Sequence, residues 1–485
     1  MHRAARPRAR RSRYNVSYRL TKRVPALLAA VTLIGLITLG TVAYARLDNF
    51  MHAITGQHIS ILRDVVQAAK PQPGTIAYKL QNGQQVSVLL LGMGGEQNDA
   101  PYLTDSIMAV TIDPASHRVL LSSIPRDLVV HMNLQSNPAR IWTNKINAAY
   151  EVPIIGIIGD VSSAYNGHDG GGHAAEHEVG KVTGITFDRY IAVDFVAFRD
   201  MVNALGGVNI CLATNLDDYE YPDYYNGYVP GGIHYKAGCG QYGGEDALRI
   251  ARSRHAIQAE QSSDFGRSRR QQDIMQAIKK KATTVDGFAK APALLDALQK
   301  NITTDMTLSD MKAIYDWGKN LPDSSIIRTA LVSASGAGDG NFLDSYDCGM
   351  GPAVSQLCPQ DPTYAMIHKY FASVFVDPKV LAEKAPIQIA NGTYNFSDLD
   401  NRVTAALDPL GFQLADPVAH AAVNETQILD YTGGTSPLTA KWLGDFFGAP
   451  VTPATPTSPA PAQGQQTFGF VVVVGHNYAR QWLGI

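Results

Sequence analysis

Charged residues are scarce in this sequence, at 17% of 485 residues, whereas hydrophobic residues make up 45%. Disordered chains have the opposite balance, so most of this chain can bury a hydrophobic core. The net charge of −2 lacks the positive excess with which nucleic-acid-binding proteins neutralise phosphates, and this disfavours that class. The length is that of two or three domains rather than one.

The basic residues that are present concentrate at the N-terminus. Residues 1–23 carry nine of the 41 basic residues and no acidic one, which leaves residues 24–485 with a net charge of −11. Residues 24–45 contain no charge and, at about 1.5 Å per residue, are long enough to cross a hydrocarbon core of about 30 Å. We expect a transmembrane helix there, with a cytoplasmic basic tail at residues 1–23 and residues 46–485 outside. A cleaved signal peptide is the alternative, and in both cases the body of the protein works outside the cytoplasm.

Cysteine is also scarce, with four residues in the chain. Cys211 and Cys239 flank a loop rich in tyrosine and glycine, and Cys348 and Cys358 lie ten residues apart. Two local disulfides are the simplest of three possible pairings and suit an oxidising compartment. Four buried free thiols are the alternative.

Apolar runs that alternate with helical patterns begin near residue 85. Buried strands are predicted at residues 86–91, 106–112 and 119–124. Helices are predicted at residues 173–183, 195–205, 245–250 and 266–282. This alternation predicts a layered α/β domain over residues 85–290.

The segments outside that domain differ in composition. Residues 46–84 are expected to form a juxtamembrane stalk, and residues 291–385 a helical and irregular connecting region. Residues 386–485 again alternate predicted strands with helices, which predicts a small second α/β domain. Within it, residues 450–466 contain five prolines and predict an extended, solvated loop.

Polar residues occur at the ends of two predicted strands. Asp105 lies at the start of one strand, and Arg126 and Asp127 follow the end of another. Ligands bind at strand ends in α/β sheets, so these side chains are candidate site residues. A strand-end ion pair without a ligand is the alternative.

A cluster of arginines lies between residues 249 and 271. Arg252 and Arg254 share a side where the chain is extended, whereas Arg267 and Gln271 share one face of a helix. A guanidinium group matches the oxygens of a phosphate, so these side chains predict an anion site. A solvated basic face is the alternative, although few carboxylates lie nearby in the sequence to neutralise it.

Two catalytic motifs of other classes are incomplete. His173, Glu176 and His177 fit a zinc peptidase pattern, but no downstream helix offers an obvious third ligand. Lys181 is not part of a P-loop, because Val182 stands where that loop requires Ser or Thr. The anion site therefore stays the main hypothesis.

Seven short motifs follow one another along residues 85–285: LLLGMGG, LTDSIM, SIPRDL, KINAAY, ALGGV, RSR and DFGRSRRQQ. Together with the predicted membrane anchor, this ordered set resembles the LytR-CpsA-Psr family. The resemblance implies a layered αβα domain with a central mixed sheet. Residues 386–485, which contain IANGT and FVVVVGHNY, are similar to the LytR C-terminal domain often attached to this family.

The resemblance implies a phosphotransferase of cell-wall assembly. Such enzymes are anchored in the membrane and move a glycopolymer, such as teichoic acid, from an undecaprenyl-pyrophosphate carrier onto peptidoglycan. The implied cofactor is Mg²⁺, and the implied partners are the lipid-linked glycopolymer, peptidoglycan and the membrane, without nucleic acid. The alternative is a non-catalytic envelope protein that binds polyprenyl phosphate and influences wall assembly or transcription indirectly.

The resemblance also assigns roles to residues. The expected catalytic residues are Arg126, Asp127, Arg252 and Arg254. The expected substrate-binding residues are Arg267, Gln271, Arg270, Lys145 and Asn147. Asp105 corresponds to a Mg²⁺-binding position, and Asp127 either orients Arg126 or accepts a proton from the sugar hydroxyl. An apolar tunnel for the prenyl chain is expected from Ile191, Val193, Phe195, Phe198, Met201, Val202 and Leu205, with ordinary core packing as the alternative for each.

The sequence departs from a common pattern of the family near the metal position. Gly94 and Gly95 stand where many members have Gly-x-Asp, and Leu103 stands where many have Arg. The Gly-Gly form resembles a known subgroup and does not imply inactivity. Asp105 would, however, need water or substrate oxygens to complete the coordination of the metal.

Overall fold

The computed structural model describes residues 71–282, 301–331, 342–455 and 469–483, except residues 97, 224–226, 263 and 395, together with short pieces between residues 45 and 58. Within these ranges, no helix has the length and apolar character needed to cross a membrane. The predicted transmembrane segment 24–45 lies outside the described residues except for its last residue, and so do the basic tail and residues 456–466 of the proline-rich loop.

A six-stranded sheet organises the first part of the described chain. The strands up to residue 331 are, in chain order, β1 (Val86–Met93), β2 (Thr104–Asp113), β3 (Arg118–Ile124), β4 (Val129–Met132), β5 (Trp142–Lys145), β6 (Arg189–Asp194), β7 (Val208–Leu212), β8 (Leu216–Asp218), β9 (Ile233–Tyr235), β10 (Gly238–Tyr242), β11 (Ile302–Thr304) and β12 (Ile326–Ala330). The sheet has the order β11-β6-β1-β2-β3-β12. β1 pairs antiparallel with β2 and parallel with β6, and β12 pairs parallel with β3. The predicted α/β fold with a central mixed sheet is therefore confirmed.

Helices cover both faces of this sheet. The described helices up to residue 318 are α1 (Ile76–Gln81), α2 (Glu151–Ile155), α3 (Gly170–Thr183), α4 (Phe195–Ala204), α5 (Gly244–Arg252), α6 (Ala259–Ser262), α7 (Asp264–Ala282) and α8 (Leu308–Gly318). Strand β6 shows the division, because successive side chains of a strand point to opposite faces. Tyr190 and Ala192 join the main core on the α3 side, whereas Ile191 and Val193 face a cavity beneath α4 and α7.

Two hairpins carry the chain from α4 to α5. β7 pairs with β10, and the Cys211–Cys239 disulfide joins two residues that face each other across this pair. β8 pairs with β9 inside the connection between β7 and β10. The second predicted disulfide, Cys348–Cys358, is also formed.

A second sheet organises the C-terminal part. Its strands, with those of the preceding loop, are β13 (Leu343–Asp344), β14 (Cys358–Pro359), β15 (Ile387–Asn391), β16 (Val418–Ala419), β17 (Gln427–Asp430), β18 (Val451–Pro453) and β19 (Phe470–Val474). The helices are α9 (Ala365–Ser373), α10 (Pro378–Ala382), α11 (Leu399–Leu407), α12 (Pro437–Phe447) and α13 (His476–Leu483). The sheet has the order β16-β15-β19-β17-β18. Its core is continuous with that of the first sheet, since Leu89, Phe342 and Trp482 belong to one buried cluster.

The first sheet extends beyond residue 290, where sequence analysis ended the domain. Its edge strands β11 and β12 come from the segment that was expected to be only helical and irregular. β11 has three residues and β12 has five, and such short segments carry little periodicity for a sequence analysis to detect.

Candidate functional site

A cavity of about 600 Å³ lies between the sheet and helices α4, α5 and α7. The polar side chains that line it are Asp105, Ser106, Arg126, Asp194, Arg252, Arg254, His255, Arg267 and Gln271. The large apolar side chains that line it are Leu90, Leu91, Met108, Ile191, Val193, Phe195, Phe198, Met201, Leu248, Ile274, Met275, Ile278 and Ile302. The arginines that the sequence predicted to converge, together with Gln271 and Asp105, therefore share one cavity.

The polar and apolar linings follow one another along α7. Arg267, Gln271, Ile274 and Ile278 lie three or four residues apart, so they form one stripe on the helix. From Arg267 to Ile278 the stripe extends roughly 16 Å along the helix axis. The cavity therefore has a polar end near the start of α7 and an apolar end near its last turns.

Asp105 and Arg126 form an ion pair at the polar end. Arg126 follows β3, and its Nη1 donates a hydrogen bond to Oδ1 of Asp105 on the neighbouring strand β2. The Nε of Arg126 also lies 3.5 Å from Oδ2 of Asp127. Two carboxylates thus hold the Arg126 guanidinium at the edge of the sheet. This is the ion pair that sequence analysis gave as the alternative, although Asp105 and Arg126 also line the cavity.

Asp127 is the centre of a cluster of positive charges. It is 6% exposed, accepts a hydrogen bond of 2.7 Å from Lys145 Nζ, and lies 3.6 Å from Nη2 of Arg254. Burial favours the neutral acid, but the hydrogen bond from Lys145 and the charges of Arg126, Lys145 and Arg254 outweigh it, so the pKa of Asp127 is below its usual value. A carboxylate with a lowered pKa is a weak base. This geometry favours the orienting role of Asp127 over proton acceptance.

Arg252 and Arg254 reach the cavity from the end of α5. α5 ends at Arg252, and the cap residue Ser253, with a φ of −51° and a ψ of 134°, turns the chain out of the helix. Both arginines line the cavity as predicted, although Arg252 is helical rather than extended. The Arg252 guanidinium carbon lies 4.2 Å from the ring centroid of Phe195 and 5.6 Å from that of Tyr221. Aromatic faces hold a cation in place without neutralising its charge.

Arg267 and Gln271 complete the polar end from α7. Arg267 is 7% exposed, and Gln271 accepts a hydrogen bond of 3.0 Å from Ser106 Oγ on β2. Nε2 of Gln271 donates to the carbonyl oxygen of Ala251 at 3.3 Å. Gln271 therefore connects α7 to both β2 and α5, which fixes the position of α7 over the cavity.

Some residues that the sequence predicted for the site lie behind its wall. Lys145 reaches only the back of the site through Asp127, and Asn147 is buried with its carbonyl oxygen accepting from Thr104. Val202 and Leu205 are 0% and 2% exposed in a core cluster next to the cavity, and they are not part of its lining. The alternative reading of ordinary core packing holds for these two residues, whereas the other five expected lipid contacts do line the cavity.

The prediction that Arg270 binds substrate is wrong for this geometry. Arg270 is 3% exposed, and its guanidinium donates to the carbonyl oxygens of Ile250, Ser253 and Gln261 at 2.9, 2.6 and 2.6 Å. Arg270 lies only three residues from Arg267, but these carbonyl contacts hold its guanidinium beside α5 and outside the cavity lining.

Asp194 is a lining residue that sequence analysis missed. Its Oδ1 caps α4 by accepting from the backbone N–H of Ala197 at 2.7 Å. Burial raises its pKa, and the backbone hydrogen bonds at the helix start partly offset this. A side chain on Gly95, which has a φ of +80°, would come within 2.8 Å of Asp194 Oδ2. Gly95 is therefore required by close packing as well as by its backbone angle.

The side chains present fit a Mg²⁺ ion that arrives with phosphate. In the part of the chain that the structure describes, no three His, Cys, Asp or Glu side chains are grouped to hold a metal. Mg²⁺ commonly uses one or two carboxylates, with phosphate oxygens and water completing its six ligands. Asp105 offers one carboxylate at the polar end, and its side chain is 41% exposed.

One family profile matches more than half of this chain. The profile of the LytR_cpsA_psr family matches residues 52–347. The protein named polyisoprenyl-teichoic acid–peptidoglycan teichoic acid transferase TagU from Bacillus cereus (strain ATCC 14579) is 27% identical over 288 residues, which is 59% of this chain and 80% of that protein. TagV of Bacillus subtilis (strain 168), named for the same transfer, is 27% identical over 211 residues, which is 44% of this chain and 47% of that protein.

Solved structures give similar matches. The crystal structure of B. subtilis TagV has a TM-score of 0.43 and 22% identity, and the match covers 60% of this chain and 96% of that chain. A structure of TagT bound to LI-WTA has a TM-score of 0.41 and 20% identity, and the match covers 59% of this chain and 89% of that chain.

Proposed function

This chain belongs to the LytR_cpsA_psr family, and we propose that it transfers a glycopolymer from a polyprenyl-pyrophosphate carrier onto peptidoglycan. Its relatives are named as enzymes that transfer teichoic acid from a polyisoprenyl carrier to peptidoglycan. One observation carries the proposal: four arginines and Gln271 meet at one end of a cavity whose other end is apolar.

The polar end suits a pyrophosphate. A pyrophosphate esterified at both ends carries a charge of about −2, and each arginine within about 4 Å contributes up to about 4 kcal/mol of raw attraction at an effective dielectric constant near 20. Desolvation offsets much of this attraction, so several arginines directed at one place are required. Arg126, Arg252, Arg254 and Arg267 meet this requirement. Asp105 pairs with Arg126, and Asp127 lies close to both Arg126 and Arg254.

The apolar end suits an isoprenoid chain. Ile191, Phe198, Met201, Ile274 and Ile278 line it from β6, α4 and α7. Burial of hydrocarbon against such side chains contributes about 25 cal/mol per Å² of apolar surface. A ligand with an anionic head and a hydrocarbon tail therefore satisfies both ends of one cavity.

The reaction follows from this placement. A sugar hydroxyl of peptidoglycan attacks the phosphorus that bears the glycopolymer, the bridging P–O bond breaks, and its electron pair leaves with the polyprenyl phosphate. The hydroxyl proton is released, and the product is a phosphodiester between the two polymers. The arginines stabilise the charge that moves onto the leaving phosphate, with Arg126 oriented by Asp105 and Asp127. We propose that Asp105 also holds Mg²⁺, which would neutralise phosphate charge when bound.

The location of the protein is part of the proposal. We propose that residues 24–45 anchor the chain as a single membrane span with a cytoplasmic N-terminus, and that the two disulfides report an oxidising, extracytoplasmic compartment. We also propose that residues 386–485 are a LytR C-terminal-like domain. Transfer to peptidoglycan requires the catalytic cavity on that side of the membrane.

Turnover tests the proposal. Purified full-length chain in detergent is incubated with a polyprenyl-pyrophosphate-linked glycopolymer, peptidoglycan fragments and Mg²⁺, and released polyprenyl phosphate is measured by mass spectrometry. We expect release together with labelled polymer on peptidoglycan, and loss of both in Arg126→Ala. Tight binding of the lipid without any release would instead support a non-catalytic binding protein.

A further inference from the structure

A carboxylate outside the cavity holds the turn that carries Arg252 and Arg254. Asp218, the last residue of β8, is 0% exposed. Its Oδ2 accepts hydrogen bonds from Ser253 Oγ at 2.7 Å and from the backbone N–H groups of Arg254 and His255 at 3.1 Å each. One buried oxygen atom thus binds three consecutive residues of the turn.

Arg270 holds the same turn from its other side. Its Nη2 donates to the Ser253 carbonyl oxygen at 2.6 Å, and its Nε donates to that of Ile250 at 2.9 Å. Asp218 therefore accepts hydrogen bonds from the backbone N–H groups of this turn, and Arg270 donates hydrogen bonds to carbonyl oxygens of the same segment. Burial and the nearby Arg267 lower the pKa of Arg270 to about 10, and the charge of Asp218 opposes that shift.

Electrostatic repulsion among the arginines explains why a carboxylate is needed beside this turn. Arg252, Arg254, Arg267 and Arg270 lie close together, and without an anion their charges repel. Asp218 places a negative charge among them without entering the cavity, where it would compete for the phosphate site. It therefore offsets part of the positive charge of the cluster from outside the cavity.

We propose that Asp218 is a positioning residue that fixes the two cavity-facing arginines of α5 and its following turn in their pyrophosphate-binding geometry. This inference rests on the proposed function, since it assigns the pyrophosphate as the ligand of those arginines. A preformed site spends no binding energy on ordering its side chains, so the loss of Asp218 should weaken binding of the ligand itself.

The test compares two buried carboxylates. Asp361 is also buried, at 4% exposed. Its carboxylate accepts hydrogen bonds from the Thr363 hydroxyl at 2.6 Å, from the Thr363 backbone N–H at 2.8 Å and from the Met366 backbone N–H at 3.3 Å. It does not line the cavity, so Asp361→Asn is the matched control. The full-length variants are titrated with farnesyl pyrophosphate, and their melting temperatures are recorded without ligand.

Asp218→Asn should weaken farnesyl pyrophosphate binding about tenfold or more, because hydrogen bonds to a charged acceptor are lost at the turn. Ser253→Ala, which removes one donor and keeps the carboxylate, should weaken it by a few-fold. Asp361→Asn should bind within about twofold of wild type, whatever its melting temperature. If Asp218→Asn and Ser253→Ala bind like wild type, or Asp361→Asn loses as much affinity, the positioning role is refuted. Failure of wild type to bind would instead count against the proposed function.

Discussion

Replacement of Arg252 by alanine should damage ligand binding and catalysis far more than stability. The guanidinium of Arg252 lies against the ring of Phe195 and near that of Tyr221 at the polar end of the cavity. A hydrogen bond to a charged group is worth about 1.5–3 kcal/mol, so kcat/KM should fall by about 10- to 100-fold. The cation–π contacts that are lost are worth about 0.5–2 kcal/mol, and relief of repulsion from the neighbouring arginines offsets part of this.

The assay measures release of polyprenyl phosphate with Mg²⁺ and melting by differential scanning fluorimetry. Arg252→Lys should fall between wild type and Arg252→Ala, because lysine keeps the charge but loses the planar fork and the stacking. Arg269→Ala is the control, since Arg269 lies on the same charged stretch of α7 but is exposed and outside the cavity lining. Normal turnover of Arg252→Ala, with failure of Arg269→Ala, would refute the site assignment.

Three further predictions concern the pH dependence, the disulfides and the topology. Burial and neighbouring carboxylates, chiefly that of Asp305, raise the pKa of Glu176 from 4.5 to about 8. The folded state therefore binds a proton that the unfolded state has released, and the stability of the fold should decrease as the pH rises from about 4.5 to about 8. Glu176→Gln should flatten the dependence of the melting temperature on pH in that range, and an unchanged dependence would contradict the prediction. Cys211→Ser should lower the melting temperature more than Cys348→Ser. The two disulfides close loops of 28 and 10 residues, for which the loss of loop entropy in the unfolded chain implies a stabilisation of about 3.5 and about 2.7 kcal/mol. The reverse order of melting temperatures would argue against loop entropy as the cause. Protease added to intact cells should digest the body of the chain and spare residues 1–23, and protection of the body would overturn the proposed topology.

The site was predictable where chemistry follows local sequence. Asp105 and Arg126 stand beside continuous apolar runs, so the rule that ligands bind at strand ends was sufficient to place them. Arg267 and Gln271 are four apart on a helix and share a face for a reason that the spacing alone contains. Arg252 and Arg254 also reach one cavity, but Arg252 is still in α5, so the extended backbone assumed for that pair is not formed.

The parts that the sequence did not reveal depend on tertiary contacts. Asp218 meets Ser253 across 35 residues, and β8 lies beside that turn through backbone contacts such as the bridge between Asp218 and Ala256. Arg270 resembles its neighbour Arg267 in charge, and the packing of α7 alone decides which one faces the cavity. The apolar stripe of Ile274 and Ile278 did carry a signal, since it continues the spacing of Arg267 and Gln271 along the same helix.

The shared core has a consequence for how this protein can be shortened or recombined. Trp482, on helix α13, is 1% exposed and stacks on Phe342, with ring centroids 4.9 Å apart. Phe342 in turn lies against Tyr370, in the same buried cluster as strand β1 of the catalytic part. Removal of residues 386–485 would expose that apolar surface to water and invite aggregation. The two sheets are therefore expected to fold as one unit, and exchange of residues 386–485 for those of a relative would require matching changes in the segment that packs against them.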